Sequence, residues 1–403
     1  MEEIRSRDKS IIFYLSLIGF FGIFTTTISK NPVLPYLVKS LGAGDEVLGL
    51  ISAISPFAGI VLSFPVGVLA DKLGKRILLI IAAFIFLLAP LFYLLVANAW
   101  YLIPVRFFHG MATAILGPVA STIIAETYDK NKGEKLGLYS SATLIGRTVA
   151  PLAGGSVIAF FAANGELFSY RAVYFGAFLM AIPVLIGAFL VKTGEDGLKN
   201  KVTLGKFFES LRYILKNKII LATALVDLST YFSFGIFETL APGYLKSIGF
   251  KPQIVGLIFS LQILSIALTK PIFGKLADRI DKRFQIACGL FILGLSVCAL
   301  PFFSSFYIIV LISMLFGLAM SFTTVATSAY VADAAEKGQI GASMGALSSI
   351  MDVGHSTGPL IAGIVITAIS VSAGFILGFL IAAIVTGMFV FVVYRKPGTG
   401  AVQ

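Results

Sequence analysis

Ionisable side chains stand inside long runs of apolar residues, and they are the residues of this sequence best suited to chemistry. They are three acids, four basic residues and both histidines: Lys30, Arg106, His109, Arg147, Asp227, Glu238, Lys270, Asp352 and His355. A charge at the centre of a hydrocarbon layer costs about 3 kcal/mol or more, so each of these positions suggests a function. Carboxylates and imidazoles in such surroundings can bind and release protons near neutral pH, which predicts proton transfer or ligand binding.

Two pairs of these residues share a helical face. Asp227 and Glu238 are eleven residues apart in the sequence, which is close to three turns of a helix. Asp352 and His355 are three residues apart and therefore also lie on one face. Asp352 has two interpretations, because it either carries a proton or is permanently neutralised by Arg147 or His355.

The composition is that of a chain solvated by lipid. Of its 403 residues, 58% are hydrophobic and 13% are charged, whereas a soluble domain carries about 25% charged residues. The net charge of +11 arises from short basic clusters between apolar runs, a distribution typical of membrane proteins. No stretch resembles a nucleic-acid-binding module, so we expect a lipid bilayer as the partner and no nucleic acid.

Apolar stretches long enough to cross a bilayer occur twelve times, six in each half of the chain. They lie near 11–36, 47–69, 77–96, 99–125, 136–163, 171–191, 219–245, 253–277, 284–302, 304–332, 340–366 and 370–394. A span needs about 20 residues, and the longer stretches predict tilted helices. We expect an all-α polytopic membrane protein with two pseudo-symmetric six-helix bundles, at 1–191 and 219–403, joined by the linker 192–218.

The linker and the basic residues indicate an orientation. Residues 204–215 place apolar side chains on one helical face with basic residues beside it, which favours an amphipathic helix on the inner leaflet over a plain connector. A cytoplasmic N-terminus puts most of the 31 Lys and Arg residues inside, and only Lys39, Arg171, Lys246 and Lys251 outside. We therefore expect a multi-pass plasma-membrane protein with both termini in the cytoplasm.

The two halves of the sequence repeat each other. GVLADKLGKR at 67–76 returns as GKLADRIDKR at 274–283, an offset of 207 residues (274 − 67). At an offset of 208 the fifth and eleventh spans align, with Pro151 matching Pro359 and Arg147 matching His355. Because six spans is an even number, both repeats enter the membrane from the same side, as in a transporter built from two parallel bundles.

The same repeat brings two opposite charges together. Glu238 on the seventh span corresponds to Asn31 on the first span, and Lys30 is the neighbour of Asn31. The two halves face each other across a cavity in such a transporter. An ion pair between Lys30 and Glu238 is therefore geometrically plausible, as an outer gate.

These motifs resemble those of the major facilitator superfamily over essentially the whole chain. GVLADKLGKR is similar to the superfamily's signature between spans two and three, with Lys72 where Arg is usual. The segment RFFHG at 106–110 resembles the fourth-span motif, with His109 where Gln is common. The fifth span resembles the motif of twelve-span drug:proton antiporters, with Ala150 in place of a Gly, and the eleventh span carries a similar copy.

The duplicated loop motif predicts a gate on the cytoplasmic side. The motif supplies Gly67, Asp71, Arg76, Gly274, Asp278 and Arg283. The ends of spans four and ten add Glu126 and Asp333. By resemblance, span two faces span eleven and span eight faces span five, and each loop Asp accepts hydrogen bonds from a facing helix. Arg76 would pair with Glu126, and Arg283 with the second-half equivalent of that acid, in ion pairs of about 1 kcal/mol. The alternative is a basic loop that only sets topology.

Glycines and prolines in spans five and eleven predict bending. The residues are Gly146, Pro151, Gly154, Gly155, Gly354, Gly358, Pro359 and Gly363. Such residues weaken the ladder of helical hydrogen bonds, and in the efflux relatives this region is thought to bend. The alternative is close packing between helices without a special function.

The resemblance implies a secondary transporter that works by alternating access and takes a small-molecule substrate. Proton-coupled efflux of apolar or amphipathic compounds is the first hypothesis, and uptake or facilitated diffusion of a polar metabolite, such as a sugar or organic anion, is the second. Because span seven lines the cavity in the family, Glu238 and Asp227 rank first as proton carriers. Arg106 matches the family's fourth-span Arg, to which a role in proton movement is usually assigned.

Motifs for other classes of protein are missing from the sequence. No Gly-x-x-x-x-Gly-Lys-Ser/Thr phosphate loop is present, which argues against an ATP-driven pump. His-Glu-x-x-His is absent, and two histidines are too few for a His-rich metal site. We expect no enzyme activity, no metal and no cofactor, with a proton gradient as the energy source and a monomer as the working unit.

Overall fold

The computed structural model of the chain describes residues 2–128, 132–191, 212, 216–334 and 340–394. Twelve helices in this part are long and apolar enough to cross a membrane, so the predicted all-α, twelve-span fold is confirmed. The predicted amphipathic helix of the linker at 204–215 lies outside the described residues, apart from Arg212.

Six helices form each half of the molecule. They are α1 (Glu2–Ile28), α2 (Asp45–Leu73), α3 (Lys75–Leu95), α4 (Leu102–Thr127), α5 (Lys132–Phe160), α6 (Glu166–Leu190), α7 (Lys218–Ser247), α8 (Pro252–Ala277), α9 (Lys282–Ala299), α10 (Phe306–Ala334), α11 (Ile340–Ala368) and α12 (Val371–Tyr394). A short helix, Val33–Ser40, continues the first span beyond α1. Single 3₁₀ turns occur at Ala99–Tyr101, Ala162–Asn164 and Leu300–Phe302.

Sequence signals at the helix ends explain these bounds. Asn217 begins α7, since its side-chain oxygen accepts hydrogen bonds from the backbone N–H groups of Ile219 and Ile220. Asp281 begins α9 in the same way. The first and seventh spans end just before Gly42 and Gly249, where φ is +78° and +98°, a conformation that favours glycine. These two glycines are equivalent in the repeat.

The twelve crossings leave the chain ends on one side of the bundle. We call that side the terminal face, and the side that carries the short helix Val33–Ser40 the far face. Helices α1–α6 pack together as one bundle and α7–α12 as the other. The bundles meet chiefly along α2 with α11 and along α5 with α8, which are the two contacts that the family resemblance implies.

The two contacts between the bundles repeat one another residue by residue. A Cβ on Gly49 of α2 would stand 3.0 Å from the carbonyl carbon of Pro359 on α11. A Cβ on the equivalent Gly256 of α8 would stand 2.8 Å from the carbonyl carbon of Pro151 on α5. Only glycine permits this approach of backbone to backbone, so the repeat has kept one close contact in both places.

Glycines of α5 and α11 make further contacts of the same kind. Gly155 of α5 faces the backbone of Pro252, and the equivalent Gly363 of α11 faces the backbone of Asp45. Gly146 of α5 lies against the backbone of α1, and Gly354 and Gly358 of α11 lie against that of α7. Both helices run without interruption through these residues. Close packing is therefore what the structure shows for them, and bending stays a prediction.

The bundles are joined on the far face, where contacts between the described residues lie. On α8, buried side chains run from Val255 to Ile266, and the next is Ala277 at the helix end. Between them, Leu268, Lys270 and Ile272 are exposed. A hydrogen bond of 3.2 Å from the backbone N–H of Leu152 to the Ser260 hydroxyl lies on the joined part of the contact.

Candidate functional site

A cavity of about 310 Å³ lies between the two bundles. Its walls come from α1, α2, α4 and α5 on one side and from α7 and α11 on the other. The titratable side chains that line it are Lys30, Arg106, Arg147, Glu238, Asp352 and His355. Most of the ionisable residues predicted from the sequence therefore meet at one place, although Asp227, His109 and Lys270 do not line it.

Glu238 is the centre of a polar cluster that joins the two bundles. Lys30 Nζ lies 2.5 Å from Glu238 Oε2, so the ion pair predicted from the repeat is present. His355 Nε2 lies 3.0 Å from the same carboxylate oxygen and 3.1 Å from Lys30 Nζ. The Asn31 amide donates to Glu238 Oε1 at 3.1 Å. Both oxygens of the carboxylate are hydrogen-bonded, and the Glu238 side chain is 12% exposed.

Local structure positions each member of this cluster. Lys30 and Asn31 stand in the turn between α1 and the short helix, where the chain leaves the regular helix. Gly235 on α7 touches the backbone of His355, because a Cβ there would lie 2.8 Å from the His355 carbonyl oxygen. That close approach brings the imidazole of α11 to within 5.4 Å of the Phe234 ring, between centroids, and to Glu238. Asn31 was not predicted, although its alignment with Glu238 was a signal for it.

Arg106 and His109 lie one helical turn apart on α4, and both are 1% exposed. The Thr26 hydroxyl on α1 is 3.2 Å from His109 Nε2. His109 is therefore a buried neighbour of the cavity, held between α1 and the Tyr93 ring of α3, whose centroid is 5.9 Å away. Arg106 reaches the cavity wall, but its Nε and Nη1 have no hydrogen-bond partner among the described residues.

Asp352 and Arg147 line the cavity without forming an ion pair. Among the described residues, no cation lies within 4.0 Å of the Asp352 carboxylate. Its Oδ2 atom instead stands against Gly59 of α2, 3.2 Å from where a Cβ would be. The interpretation that Arg147 or His355 neutralises Asp352 is therefore wrong for this state, since His355 is engaged by Glu238.

Asp227 lies away from the cavity, in the interior of the second bundle. Its carboxylate accepts a hydrogen bond of 2.7 Å from the Thr327 hydroxyl of α10, and its side chain is 1% exposed. Asp227 and Glu238 were predicted to share a face of α7. They do not share an environment, because α7 contacts α10 around Asp227 and contacts α1 and α11 around Glu238.

The predicted ion pairs of the terminal face exist, but with different partners. Lys75 Nζ lies 2.7 Å from Glu126, and Lys282 Nζ lies 3.0 Å from Asp333. The predictions that named Arg76 and Arg283 were wrong by one residue in each half. Neighbours on a helix point about 100° apart, and it is the lysine side of α3 and α9 that faces the end of the next helix.

The two arginines bind elsewhere. Arg76 donates to the backbone carbonyl of Phe189 on α6 at 3.0 Å. Arg283 pairs with Asp281 at 2.9 Å, and this hydrogen-bonded guanidinium holds the pKa of the Asp281 carboxyl below its usual value. Asp278 is exposed and makes no contact of this kind with the described residues. Gly274 leaves ordinary room for a side chain, since the nearest atom to its Cβ position belongs to Val325 at 3.6 Å.

Gly67 and Asp71 belong to the continuous helix α2, but their surroundings lie outside the described part of the structure. The predicted hydrogen bonds of Asp71 to a facing helix therefore stay a prediction.

The far face carries a contact between the bundles that the sequence did not reveal. Lys246, at the end of α7, forms an ion pair of 2.7 Å with Glu166 and a hydrogen bond of 2.9 Å to the Tyr170 hydroxyl, both on α6. Its ammonium also lies 5.1 Å from the centre of the Tyr36 ring on the short helix. We call these four residues the far-face clasp. A signal existed, because Lys246 is one of few basic residues predicted to be outside.

Two more contacts lie nearby on the same face. Glu46 at the start of α2 accepts a hydrogen bond from the Thr367 hydroxyl near the end of α11, and so joins the two bundles. Lys39, the repeat equivalent of Lys246, pairs at 3.2 Å with Asp45 of its own bundle. The far face is therefore closed by contacts at both edges of the cavity.

Two six-helix bundles around a charged central cavity, with contacts that close the far face, define a transporter and not an enzyme. Comparison with protein families agrees with this class. The profile of the Major Facilitator Superfamily matches residues 15–251 and 223–403, so the chain belongs to this superfamily. It is an integral, multi-pass membrane protein.

Relatives at low identity are transporters. An uncharacterized MFS-type transporter of Methanocaldococcus jannaschii is 26% identical over 348 residues, which cover 83% of this chain and 86% of that protein. Multidrug resistance protein MdtG of Citrobacter koseri is 26% identical over 372 residues, which cover 89% of this chain and 88% of that protein.

Solved structures share the fold at lower identity still. A bacterial homolog to the human lysosomal transporter Spinster, in an inward-facing and unoccupied conformation, aligns with a TM-score of 0.78 at 16% identity and 96% coverage of both chains. The nucleoside transporter NupG aligns with a TM-score of 0.80 at 14% identity, covering 96% of this chain and 100% of that one. At these identities the likeness concerns the fold alone.

Proposed function

We propose that this transporter exports small amphipathic compounds in exchange for protons. The observation that carries the proposal is the cluster of Glu238, Lys30 and His355, which places a carboxylate between the two bundles at the far-face end of the cavity. A proton-coupled transporter needs a carboxylate whose protonation alters contacts between its bundles. Distant relatives named as multidrug resistance proteins support the direction and the substrate class.

The cluster suggests how a proton would alter the balance between states. In the described state, the ion pair of Lys30 with Glu238 ties α1 to α7 just below the far face. A proton on Glu238 neutralises the carboxylate and so removes that attraction. The bundles can then separate on the far face, provided that the terminal face closes in exchange, as alternating access requires.

The orientation that fits this proposal has the terminal face in the cytoplasm. Most basic residues of the sequence fall in the segments that this orientation puts inside. Substrate then enters from the cytoplasm in the described state and leaves on the outside after the far face opens. The plasma membrane, a proton gradient as the sole energy source and a monomeric working unit complete the proposal.

The deciding experiment follows protons and substrate together. Purified protein is placed in liposomes that contain a pH-sensitive dye, and apolar amines, sugars and organic anions are offered in turn under an imposed pH gradient. We expect an amphipathic compound to move against a proton flux. Glu238→Gln should abolish that flux, and the control Glu134→Gln, at an exposed acid paired with Lys135, should not. Substrate movement that ignores the pH gradient contradicts the proposal.

A second candidate is uptake or facilitated diffusion of a polar metabolite. It is favoured by the polar cavity wall, in which Lys30, Arg106 and Arg147 supply hydrogen-bond donors for a sugar or an anion. Cells distinguish the candidates. Export predicts that a preloaded dye is retained longer in cells with Glu238→Gln than with wild-type protein, whereas uptake predicts slower loading of the metabolite.

A further inference from the structure

The charges of the cavity are sorted by bundle. All three cations that line it, Lys30, Arg106 and Arg147, come from the first bundle. Both acids that line it, Glu238 and Asp352, come from the second. With His355 neutral, the lining carries a net charge of +1 (3 − 2). One wall of the cavity is thus positive and the opposite wall negative.

Only one of the three cations is matched by an acid. Lys30 is held by Glu238 at 2.5 Å, so that pair presents little net charge to a ligand. No carboxylate of the described residues lies within ion-pair distance of Arg106 or Arg147. The remaining acid, Asp352, stands against Gly59 at the seam of α2 and α11.

Of the two arginines outside an ion pair, Arg106 is the one that is buried with unpaired hydrogen-bond donors. Its side chain is 1% exposed, and its Nε and Nη1 atoms have no hydrogen-bond partner among the described residues. The charged neighbour that acts on it, Lys30, has the same sign. Unpaired nitrogen atoms on a buried guanidinium are costly, and a carboxylate or a similar anion is the group whose shape fits its planar fork.

Arg147 extends the positive wall towards the terminal face. It lines the cavity, and its charge acts on Lys30, His355 and Lys270, none of which is an acid. Arg147 is an exposed residue, so an anion that enters from the terminal face meets it before Arg106. Arginine in both places gives bidentate donors, which bind carboxylates with defined geometry.

We propose that Arg106 and Arg147 form a subsite for an anionic group, so that the preferred substrate is an amphipathic organic anion such as an aryl-alkyl carboxylate. The apolar body of the ligand would lie against Ile23 and Phe234, which line the same cavity. Among the described residues that line the cavity, a cationic amphipath finds Asp352 as the one acid outside an ion pair, and it meets two arginines that have no acidic partner. This inference rests on the proposed transport function and names its substrate class.

Binding to the purified full-length protein in detergent tests the subsite without reference to direction or energy source. The probes are phenylbutyrate, phenylbutyramide and phenylbutylamine, which share an apolar body and differ in charge. Titration calorimetry should give phenylbutyrate a Kd at least about tenfold lower than either other probe, the difference expected for a charge-assisted hydrogen bond. A Kd for the amide or amine equal to or lower than that of the carboxylate overturns the subsite.

Variants assign the preference to its residues. Arg147→Gln, at an exposed position where folding is not at risk, should remove most of the preference for the carboxylate over the amide. Arg106→Lys keeps the charge but loses the fork, so carboxylate affinity should fall while carboxylate is still preferred. Lys275→Gln, an exposed lysine outside the cavity, should leave all three Kd values unchanged. An unchanged preference in both arginine variants overturns the assignment.

The outcomes separate this inference from the proposed function. Anion preference in binding together with transport that ignores the pH gradient contradicts proton-coupled export and leaves the subsite standing. Proton-coupled export of phenylbutylamine in preference to phenylbutyrate contradicts the subsite and leaves export standing.

Discussion

Glu238 contacts polar side chains of both bundles, and this determines what the removal of Glu238 or of its partners should do. Lys30 and Asn31 belong to the first bundle and His355 to the second. The side chains of the ion pair are only 10% and 12% exposed, so each charge relies on the other for compensation. Deleting one partner of such a pair leaves an uncompensated charge, whereas deleting both does not.

Lys30→Met should therefore destabilise the protein more than the double variant Lys30→Met/Glu238→Gln. The loss from the single variant should be about 2 kcal/mol or more, because the carboxylate stays buried without its cation. Thermal unfolding in detergent, followed by a fluorescent reporter, gives the order of the midpoints. A double variant less stable than the single one would contradict the role of the pair.

Asp227 depends on one hydrogen bond from a side chain. Thr327→Val removes the hydroxyl that donates to the buried carboxylate, and we expect a loss of about 1–3 kcal/mol in stability. The matched control is Thr323→Val, since the Thr323 hydroxyl is equally buried but bonds only the backbone of its own helix. Equal unfolding midpoints for the two variants would show that the hydrogen bond to Asp227 contributes no more to stability than the hydrogen bond of Thr323 to its own helix.

Sequence reasoning at this scale succeeded where the repeat supplied a constraint. The alignment of Asn31 with Glu238 placed Lys30 opposite the acid, and the structure has that contact. It failed for Arg76 and Arg283, because basic residues adjacent in sequence differ only in direction around the helix. Sequence reasoning also could not predict that Asp227 and Glu238 have different surroundings. Both lie on one face of α7, but the sequence does not show which helix packs against each part of that face.

Glycines at the helix crossings decide how closely the bundles approach. Gly49 and Gly256 each admit a proline carbonyl of the other bundle where any Cβ would collide with it. Within a membrane the hydrophobic effect does not drive helices together, so close backbone packing supplies much of the attraction. The contact is therefore expected to stabilise the closed far face.

Gly256→Ala should weaken the contact of α8 with α5. The added methyl group would lie 2.8 Å from the carbonyl carbon of Pro151, so the helices must move apart, at a cost of about 1–3 kcal/mol. Gly117→Ala on α4 is the control, because nothing lies within 4 Å of its Cβ position. Unfolding midpoints in detergent should fall for the first variant only, and an equal fall in both would contradict the packing argument.

The elements themselves were predictable, but not all of their roles were. Hydropathy located all twelve spans, because a helix that crosses lipid must be apolar over about 20 residues. The glycines of α5 and α11 were visible in the sequence. Helix bending and close helix packing both favour glycine, so the sequence alone does not distinguish the two roles. The partner of each glycine, such as Phe20 for Gly146, depends on the crossing geometry of two helices.

At the scale of the whole molecule, polar contacts between the described residues of the far face help to hold the two bundles together there. The clasp pairs Lys246 with Glu166, whose side chains are 37% and 66% exposed. An exposed ion pair contributes about 1 kcal/mol at most, and the cation–π contact with Tyr36 adds a similar amount. Contacts of this size hold a state without locking it, which suits a protein that must alternate between two states.

Lys246→Met should shift the population towards a state open on the far face. Loss of about 1 kcal/mol corresponds to roughly a fivefold change in the ratio of states. Spin labels at Ala163 and Ser304, exposed residues on the far face of the two bundles, report the opening as a longer distance by electron resonance. The native Cys288 and Cys298, both free thiols, are replaced by Ala beforehand.

The control for this measurement is Lys251→Met, at another exposed lysine of the far face that forms no ion pair with the described residues. Its distance distribution should match that of the parent chain. If Lys246→Met also leaves the distribution unchanged at low salt, the clasp does not contribute to closing the far face.

Each half of the chain carries both members of the contact that joins the halves. The first half supplies Gly49 and Pro151, and the second supplies the equivalent Gly256 and Pro359. A surface that holds both members of a contact is self-complementary, which is the property of an isologous interface in a two-fold symmetric homodimer. Two copies of the first six spans can therefore form the same two crossings with each other. Self-complementary halves of this kind are what the duplication and fusion of one six-span unit would produce.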